Sequence, residues 1–505
     1  MKIHEVIAHP AERDPHKVAI KQGTRAITYG ELHWITERLA EDLRALAGPG
    51  THIGIWMENS IAYIIAYFAI AKAGSIIVPL SISLPIEGVR QECKSCDLDY
   101  LITTPARAAK ASPLAPDGGR LKRVLGLYIS DDWRHCELLS AVEEGSKAAA
   151  KDRLAVAGEV AVMLSTSGSN GHPARVMLSH YNLIANMQSF LGMAGLEPTD
   201  RALIILPMTA SGTNTTELLA YLARGLTITV YPHQVFLLSE CCKLLHDARI
   251  TVINLTPLVL SLMLRHSSKV ARRIPALKKV FFASSPVAIK QLQQLVTHFP
   301  QVQFYYGYGL TEASPRCTTL LPECLLTKLG SVGKPLNNID LRIVDTAHQS
   351  VPRGQIGEIA VKGPNVMLGY YRRPEDTRAA VTDGWLYTGD LGLLDEDGFL
   401  FVKGRKKNVI VSRGISICPE EIEQALLEHE AVTDAFVAGT SDDLLSERVV
   451  AYVVLREGGY ATERQLQQFL GKRLERPKLP SQIFFVPELE RNFNHKLIRN
   501  QLAAC

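Results

Sequence analysis

Hydrophobic residues in the first part of the chain alternate between a helical and a strand-like pattern. Segment 28–46 carries Leu and Ala at helical spacing and predicts an amphipathic helix. Segment 60–74 is apolar on all sides and predicts a buried helix that ends at Gly74. Short apolar runs around these helices predict strands at 51–59, 75–80 and 98–104. This alternation predicts a parallel sheet with helices on its faces.

The pattern resumes in the middle of the chain and then changes. Apolar runs followed by helix-forming sequence predict a second α/β layer, with strands at 202–208, 226–232, 250–257 and 278–284. From Leu341 to Phe401, short strands and glycine turns predict a small, mostly antiparallel, barrel-like sheet. After Lys407, a separate α+β unit is predicted, with strands at 409–414, 431–440 and 447–455 and helices at 419–429 and 463–475. The predicted fold class is α/β, in which two α/β layers and the β-barrel-like unit precede the α+β unit.

Length, composition and charge restrict the class of protein. A chain of 505 residues is too long for one core, and its 47% hydrophobic and 21% charged residues are typical of a soluble globular protein. A net charge of +4 gives no reason to expect nucleic-acid binding. The N-terminus has charges throughout, unlike a signal peptide, and the most apolar region, 61–84, is interrupted by Lys72 and Gly74. We therefore expect no membrane span.

The nine cysteines are odd in number and form no disulfide framework. Cys93 and Cys96 have metal-like spacing, but no second pair or histidine cluster completes a zinc site. We expect both thiols to lie on a helix as small side chains, and the chain to be cytoplasmic and reduced.

Segment 384–423 carries a candidate site for a nucleotide sugar. Asp390 follows Thr388 and Gly389, a turn from which one carboxylate can project and accept hydrogen bonds from two vicinal hydroxyls. Arg405, just past the next strand, offers a planar fork to ribose or phosphate oxygens. Taken singly, the DEDG and GRKK motifs of this segment are more often a hairpin turn and a solvated basic loop.

A second stretch can cradle a triphosphate, because its glycines expose backbone N–H groups and its hydroxyls add donors. Its residues are Ser165, Thr166, Ser167, Gly168, Ser169, Asn170 and Gly171. The Gly-Lys-Ser/Thr ending of a Walker A loop is missing. A Ser/Gly loop alone is more often a flexible turn.

A third stretch, 305–315, combines a ring with oxygen ligands. Tyr308 offers a flat face on which adenine can stack, and Gly307 and Gly309 remove side chains beside it. Thr311 supplies a hydroxyl near phosphate, and Glu312 supplies a hard carboxylate for Mg²⁺. The alternative is an ordinary turn at the end of a strand.

Together and in this order, these stretches resemble the ATP-dependent adenylate-forming superfamily, which contains acyl-CoA synthetases, adenylation enzymes that load carrier proteins, and luciferases. The resemblance covers roughly residues 20–500. It implies activation of a small carboxylic acid with Mg·ATP to an acyl-adenylate and pyrophosphate. The acyl group then passes to a thiol, either CoA or the phosphopantetheine of an acyl or peptidyl carrier protein.

The resemblance also implies the domain organisation. Residues 1–403 would form a large ATP- and acyl-binding domain, 404–407 a hinge that includes Lys407, and 408–505 a small mobile C-terminal domain. Ser285, within 283–287, would lie on the face of the adenine opposite Tyr308. A basic cluster around the hinge could meet CoA phosphates or an acidic carrier protein, or be simply solvated: Arg405, Lys406, Lys407 and Arg413.

Lys496 is the catalytic residue that the resemblance implies near the C-terminus. It begins the sequence Lys-Leu-Ile-Arg, with His495 in place of the usual Gly. Its ammonium would neutralise charge as the carboxylate attacks the α-phosphate. Because it lies on the small domain, adenylation would require domain closure. Rotation about Lys407 would then replace the Lys496 face by the Gly414 face and open a path for the thiol.

The chain departs from the resemblance at Ala174, where the family usually has a Lys after the loop's Pro. Two interpretations are open. Arg175 could reach the β- and γ-phosphates instead, or backbone N–H groups and Mg²⁺ could carry the charge alone. The missing Lys also motivates a non-catalytic adenylate-binding protein as an alternative. Four retained residues argue against that alternative: Asp390, Arg405, Glu312 and Lys496.

Segment 206–219 lies where the family lines its acyl pocket. Candidate pocket residues here and in the Tyr308 stretch are Thr209, Ser211, Thr213 and Gly307. Amino-acid-activating members usually place an Asp in this segment to hold the ammonium group, and here no acid precedes Glu217. The small hydroxylated side chains therefore favour a modest uncharged acyl or aryl acid over an amino acid. A luciferase-like oxidative fate of the adenylate stays open.

Overall fold

The computed structural model describes residues 1–111, 114, 120–140, 159–166, 174–233, 235–412, 415–442 and 446–489. The α-helices in these ranges are α1 (Ala8–Arg13), α2 (Tyr29–Leu46), α3 (Ile61–Lys72), α4 (Ile86–Ser95), α5 (Pro105–Ala111), α6 (His180–Ala194), α7 (Ala220–Arg224), α8 (Leu238–Asp247), α9 (Pro257–Arg265), α10 (Ser267–Ala271), α11 (Ile289–His298), α12 (Pro374–Ala380), α13 (Pro419–Leu427) and α14 (Glu463–Gly471). A π-helix, Thr213–Leu219, precedes α7.

The strands in the same ranges are β1 (Val18–Gln22), β2 (Arg25–Thr28), β3 (His52–Trp56), β4 (Ile76–Pro79), β5 (Tyr100–Thr103), β6 (Arg123–Ile129), β7 (Cys136–Ser140), β8 (Val160–Ser165), β9 (Arg175–Ser179), β10 (Arg201–Ile204), β11 (Thr227–Val230), β12 (Val252–Leu255), β13 (Lys279–Phe282), β14 (Gln303–Gly309), β15 (Arg316–Leu320), β16 (Lys334–Pro335), β17 (Asp340–Val344), β18 (Gly357–Lys362), β19 (Gly369–Tyr370), β20 (Val381–Thr382), β21 (Trp385–Leu394), β22 (Leu400–Arg405), β23 (Ile410–Ser412), β24 (Ile415–Ile417), β25 (Val432–Asp442), β26 (Ser446–Leu455) and β27 (Gln482–Phe485).

Two large sheets form the N-terminal part. One has the order β16-β15-β14-β13-β12-β10-β11-β1-β2 and is parallel from β14 to β1. The other has the order β19-β9-β8-β4-β3-β5-β6-β7 and is parallel from β8 to β6. The two predicted α/β layers are therefore confirmed.

Two smaller sheets follow. The third joins β17, β18, β21, β20 and β22 in an antiparallel arrangement, as predicted for the segment from Leu341 to Phe401. The fourth joins β24, β23, β26, β25 and β27. With α13 and α14 packed against it, this sheet has its own buried core within 410–483, which is the predicted α+β unit.

Local sequence explains the helices that support these sheets. Thr28 caps α2, because its hydroxyl accepts from the Glu31 N–H while the Glu31 carboxylate accepts from the Thr28 N–H. Helix α3 is buried on nearly every face, as its apolar sequence predicts. Among the described helices, none combines the length and the apolar character needed to cross a membrane.

The fold brings three candidate stretches to one edge of the nine-stranded sheet. Residues 206–219 follow β10, 283–287 follow β13 and 310–312 follow β14. These strands run parallel, so their carboxyl ends lie on the same edge, where α/β sheets bind ligands.

Candidate active site

Asp390 is the centre of a three-residue cluster. Its Oδ1 lies 2.7 Å from the Arg405 Nε, and its Oδ2 accepts a 2.7 Å hydrogen bond from the Tyr308 hydroxyl. Asp390 is 5% exposed, so these contacts form largely away from water. Burial, followed by the Asp390 charge, raises the pKa of Tyr308, which keeps its phenol protonated as the donor. Three residues predicted to bind the nucleotide thus lie together.

The β21–β22 hairpin sets this geometry. Asp390 and Arg405 are register partners across the two strands. Gly389 has φ +70°, a conformation that favours glycine, and the Thr388 hydroxyl accepts from the Asp390 N–H at 3.1 Å. The Gly389 N–H also donates to Glu358, whose other oxygen lies 2.8 Å from the Lys406 Nζ. The carboxylate direction is therefore fixed by backbone and side-chain hydrogen bonds.

Thr311 and Glu312 lie in a short turn after β14, and both are partly buried. The Thr311 and Ser211 hydroxyl oxygens are 3.1 Å apart, which joins the predicted phosphate turn to the predicted acyl pocket. The Tyr370 hydroxyl donates to Glu312 Oε1 at 2.8 Å. Burial, followed by the Glu312 charge, raises the pKa of Tyr370, so the phenol remains a donor to the carboxylate.

Close packing requires Gly307 and Gly309. A Cβ at Gly309 would lie 1.8 Å from the Pro315 carbonyl oxygen, and a Cβ at Gly307 would lie 1.8 Å from the Arg316 Nη1. The two glycines therefore admit the following strand, and Gly307 in particular admits the Arg316 guanidinium. Glycine is therefore needed at both positions for the packing of β15 against β14, in addition to the space that it leaves beside the Tyr308 ring.

The candidate phosphate loop is described only at its base. The Thr166 N–H donates to the Ala174 carbonyl at 2.9 Å, and Ser165 pairs with Arg175 in the β8–β9 ladder. The other predicted loop residues lie outside the described residues: Ser167, Gly168, Ser169, Asn170 and Gly171.

Arg175 has partners that argue against a role on phosphate. Its Nη2 lies 2.6 Å from Glu92 Oε2, and its Nη1 donates to the Pro79 carbonyl at 3.1 Å. The side chain is 6% exposed and that of Glu92 is 15% exposed. A guanidinium held in a buried ion pair is unavailable to a triphosphate unless that pair breaks.

The remaining predicted residues have differing surroundings. Ser285 is exposed after β13, and its carbonyl accepts from the Tyr306 hydroxyl at 3.3 Å. Thr209 is partly buried, whereas Thr213 is 1% exposed. Lys407 is exposed in a short turn, Lys406–Asn408, between β22 and β23. Lys496 lies outside the described residues, as do Arg413 and Gly414.

Three further residues that contact predicted site residues were not identified from the sequence: Tyr370, Glu92 and Arg316. Tyr370 follows Leu-Gly in a segment without any recognised motif, and Glu92 lies on a helix 83 positions from Arg175. Arg316 directly follows the YYGYGLTEASP stretch, and its approach to Gly307 depends on the pairing of β14 with β15. Only Arg316 had a usable signal in the sequence, because it is the one charged residue in the segment that forms β15, Arg316–Leu320.

Comparison with known families and proteins gives a consistent result. The AMP-binding enzyme family matches residues 7–371, and the family of AMP-binding enzyme C-terminal domains matches residues 421–496. A 2-succinylbenzoate–CoA ligase from Geobacillus sp. is 32% identical over 97% of this chain and 94% of its own length. A feruloyl-CoA synthase from Amycolatopsis sp. is 31% identical over 97% of this chain and 96% of its own length.

Solved structures resemble the whole chain. The o-succinylbenzoate CoA synthetase from Bacillus subtilis, in complex with the acyl-adenylate intermediate OSB-AMP, has a TM-score of 0.84 and 27% identity, covering 99% of this chain and 97% of its own. ATP-bound MatB from Rhodopseudomonas palustris has a TM-score of 0.84 and 26% identity, covering 100% of this chain and 99% of its own.

Proposed function

The chain belongs to the family of AMP-binding enzymes, and on that premise we propose that it activates a small carboxylic acid with ATP and transfers the acyl group to a thiol. In the first step a carboxylate oxygen attacks the α-phosphorus of ATP, forming an acyl-adenylate and releasing pyrophosphate. In the second step a thiol attacks the acyl carbon, forming a thioester and releasing AMP. The adenylate makes this possible because AMP is a better leaving group than hydroxide.

The observation that carries the proposal is the convergence of Tyr308, Arg405 and Asp390. The Asp390 carboxylate can accept from both ribose hydroxyls, since each oxygen has more than one lone pair. Arg405 is half-exposed beside it and can reach ribose or phosphate oxygens from the hinge side. The Tyr308 ring provides the stacking face for adenine, and Ser285 lies on the predicted opposite face.

Thr311 and Glu312 fit the phosphate end of the same nucleotide. Mg²⁺ is usually held by one or two carboxylates together with substrate phosphates, and Glu312 supplies such an oxygen ligand. When bound, Mg²⁺ would neutralise phosphate charge. The Tyr370 hydroxyl orients Glu312, and the contact between Thr311 and Ser211 holds the phosphate turn next to the acyl pocket.

The loop that begins at Thr166 supplies backbone and hydroxyl donors for the triphosphate in this proposal. Because Arg175 is paired with Glu92, we assign the loop's role to its own N–H groups and to Mg²⁺. Lys496 would approach the reacting carboxylate when the small domain, 408–505, closes about the 404–407 hinge. The large domain would then be 1–403, as the family resemblance implies.

CoA is the proposed thiol, in line with the relatives named as CoA ligases. A carrier-protein phosphopantetheine is the alternative acceptor, and the basic cluster at the hinge would suit CoA phosphates or an acidic carrier protein. The relatives named for succinylbenzoate and ferulate support an aryl acid. The absence of an acid between residues 206 and 216 argues against an α-amino acid.

A hydroxylamine-trapping screen tests the proposal directly. The protein is incubated with Mg·ATP and a panel of aryl and acyl acids, and hydroxamate and pyrophosphate are measured together. We expect both products with at least one acid, and a thioester when CoA is added. Release of pyrophosphate without hydroxamate, or ATP binding without either product for any acid, would contradict the proposed function.

A further inference from the structure

The inner end of the predicted acyl pocket contains an unusual set of buried polar groups. Segment 206–219 is partly buried at Thr209 and Ser211 and fully buried from Thr213 onward, where the π-helix begins. Several buried side-chain atoms here have no hydrogen-bond partner among the described residues: Thr213 Oγ1, Asn214 Nδ2, Thr215 Oγ1, both Glu217 carboxyl oxygens and Arg316 Nη1. We call Thr213, Glu217, Asn254 and Arg316 the inner polar cluster.

Unpaired polar atoms in a protein interior are rare, and each of them destabilises the folded state. Residues 213–217 together with Arg316 contain five residues with such atoms, and Glu217 and Arg316 lie near enough to affect each other's pKa. These unpaired atoms require an explanation, such as a bound group that completes them. A π-helical turn, which the chain adopts here, occurs frequently at functional sites. The cluster thus has the features of a binding site that is completed by a ligand.

The position of Arg316 connects the cluster to the substrate. Its Nη1 is so close to the Gly307 Cα that any side chain at 307 would collide with it, and Gly307 is one residue from Tyr308 on β14. Ser211, at the outer end of the segment, contacts Thr311 of the phosphate turn. An acid whose reacting carboxyl lies near Thr311 would therefore extend along this segment towards Arg316 and Glu217.

The charges of Arg316 and Glu217 indicate which kind of ligand group the inner polar cluster would bind. Burial lowers the pKa of Arg316 to about 10, so the guanidinium remains positive at neutral pH. Burial raises the pKa of Glu217 to about 8, although Thr213, Asn254 and Arg316 act in the opposite direction, so this carboxyl can donate a proton. A buried cation beside a neutral acid attracts an anion and repels an ammonium group.

We propose that the inner polar cluster binds a second carboxylate of the substrate, remote from the one that is activated, so that the chain's substrate is a dicarboxylic acid. Arg316 supplies the positive charge, and Glu217 and Thr213, whose side-chain oxygens are unpaired, supply further hydrogen-bonding groups. This inference rests on the proposed function, because it specifies which acid the same site activates. A dicarboxylic acid differs from the uncharged acid expected from the sequence, because that expectation rested only on the side chains of segment 206–219 and did not include Arg316.

Matched acids provide the test. A graded series of aliphatic and aryl dicarboxylic acids is compared with their monomethyl esters, which keep the length and the reacting carboxylate but lose the second charge. Rates of hydroxamate formation are measured for wild type, Arg316→Met and Arg316→Lys. We expect wild type to prefer the best diacid over its ester by about tenfold to a hundredfold in kcat/KM. Arg316→Met should bring this ratio close to unity by lowering kcat/KM for the diacid more than for its ester, and Arg316→Lys should restore part of the preference.

Each other outcome has a separate meaning. Esters used as well as diacids by wild type, or an unchanged ratio in Arg316→Met, would overturn the inference and leave the proposed function intact. Faster activation of a matched amino acid than of any diacid would also overturn the inference, because it would indicate that Glu217 is ionised and binds the ammonium group of the substrate. Hydroxamate from no acid at all would instead reject the proposed function. The wild-type comparison decides the question even if the Arg316 variants do not fold.

Discussion

Asp390 and Arg405 are cross-strand partners whose carboxylate and guanidinium lie 2.7 Å apart at the end of the β21–β22 hairpin. Arg405 is the last residue of β22, and the turn that contains Lys407 follows it directly. Arg405 therefore belongs both to the proposed nucleotide-sugar site and to the proposed 404–407 hinge. Movement of the small domain would act on Arg405 first, so ribose binding and domain position should be coupled.

The first prediction concerns Asp390→Asn. This change keeps an acceptor for Tyr308 but removes the charge that Arg405 and the ribose hydroxyls share. We expect ATP binding to weaken by about 2 kcal/mol, or roughly thirtyfold in Kd, measured by calorimetry. Asp397→Asn, in the exposed hairpin of the same sheet, serves as the control and should bind ATP normally. An unchanged Kd in Asp390→Asn would show that Asp390 is only a turn residue.

The second prediction concerns Arg175→Met. It leaves the Glu92 carboxylate without its partner, so we expect a loss of about 3 kcal/mol in the free energy of unfolding. Pyrophosphate exchange per folded molecule should stay within a few-fold of wild type, and Ala174→Lys should maintain or raise it. In a double-mutant cycle, Glu92→Gln should recover much of the stability lost. A stable Arg175→Met variant that has lost exchange would instead place Arg175 on the phosphates.

The third prediction compares two adjacent tyrosines. Tyr370 donates to Glu312, whereas Tyr371 donates to Asp97 at a distance of 2.5 Å. Tyr370→Phe should therefore raise the Mg²⁺ concentration needed for half-maximal adenylation by about tenfold, because Glu312 loses the group that orients it. Tyr371→Phe provides the matched control, with the same chemical change and an unaltered Mg²⁺ requirement. Equal effects of the two changes would exclude a specific role for Tyr370.

More of the fold than of the candidate site could be predicted from the amino-acid sequence. The pattern of apolar residues predicted the bounds of α2 and α3 closely, because α2 has apolar residues at helical spacing and α3 is a continuous apolar segment that ends before Gly74. Helix α14 was predicted to reach residue 475 but ends at Gly471, where glycine is unfavourable in a helix interior.

Side-chain partners across elements were harder to predict than the elements. The contact between Tyr308 and Asp390 joins positions 82 apart, and only the resemblance to a known family suggested that they belong together. The pairing of Arg175 with Glu92 depends on how α4 packs near β9, which no local pattern encodes. The inner polar cluster was missed for the same reason, because Arg316 and Glu217 come from different elements.

The fourth prediction separates the two half-reactions through Lys496→Ala. The family resemblance places this ammonium at the reacting carboxylate only when the small domain is closed for adenylation. We expect adenylate formation to fall by about a hundredfold or more, while thioester formation from a supplied acyl-adenylate stays near wild type. Lys472→Ala, at the exposed end of α14, should affect neither step. Equal losses in both steps would contradict a role confined to adenylation.

The fifth prediction concerns the pH dependence of stability that Glu217 causes. Burial raises the pKa of this carboxyl from 4.5 to about 8 in the folded chain, whereas it ionises near 4.5 when unfolded. Between these values the folded state binds more protons than the unfolded state, so the free energy of unfolding falls as pH rises. The contribution of Glu217 is complete below about pH 4.5 and is lost as the pH approaches 8.

Glu217→Gln removes this titration while keeping the shape of the side chain. Its stability relative to wild type should therefore increase from pH 5 to pH 8, by on the order of 3 kcal/mol in urea unfolding. The neighbouring titratable groups, Arg316 and Tyr221, keep one charge state over this range, because burial leaves the pKa of Arg316 at about 10 and raises that of Tyr221. Glu12→Gln, at an exposed carboxyl, is the control and should run parallel to wild type. A Glu217→Gln profile that also runs parallel would mean that Glu217 is already ionised in the folded protein, paired with Arg316, and that the inner polar cluster is closed on itself.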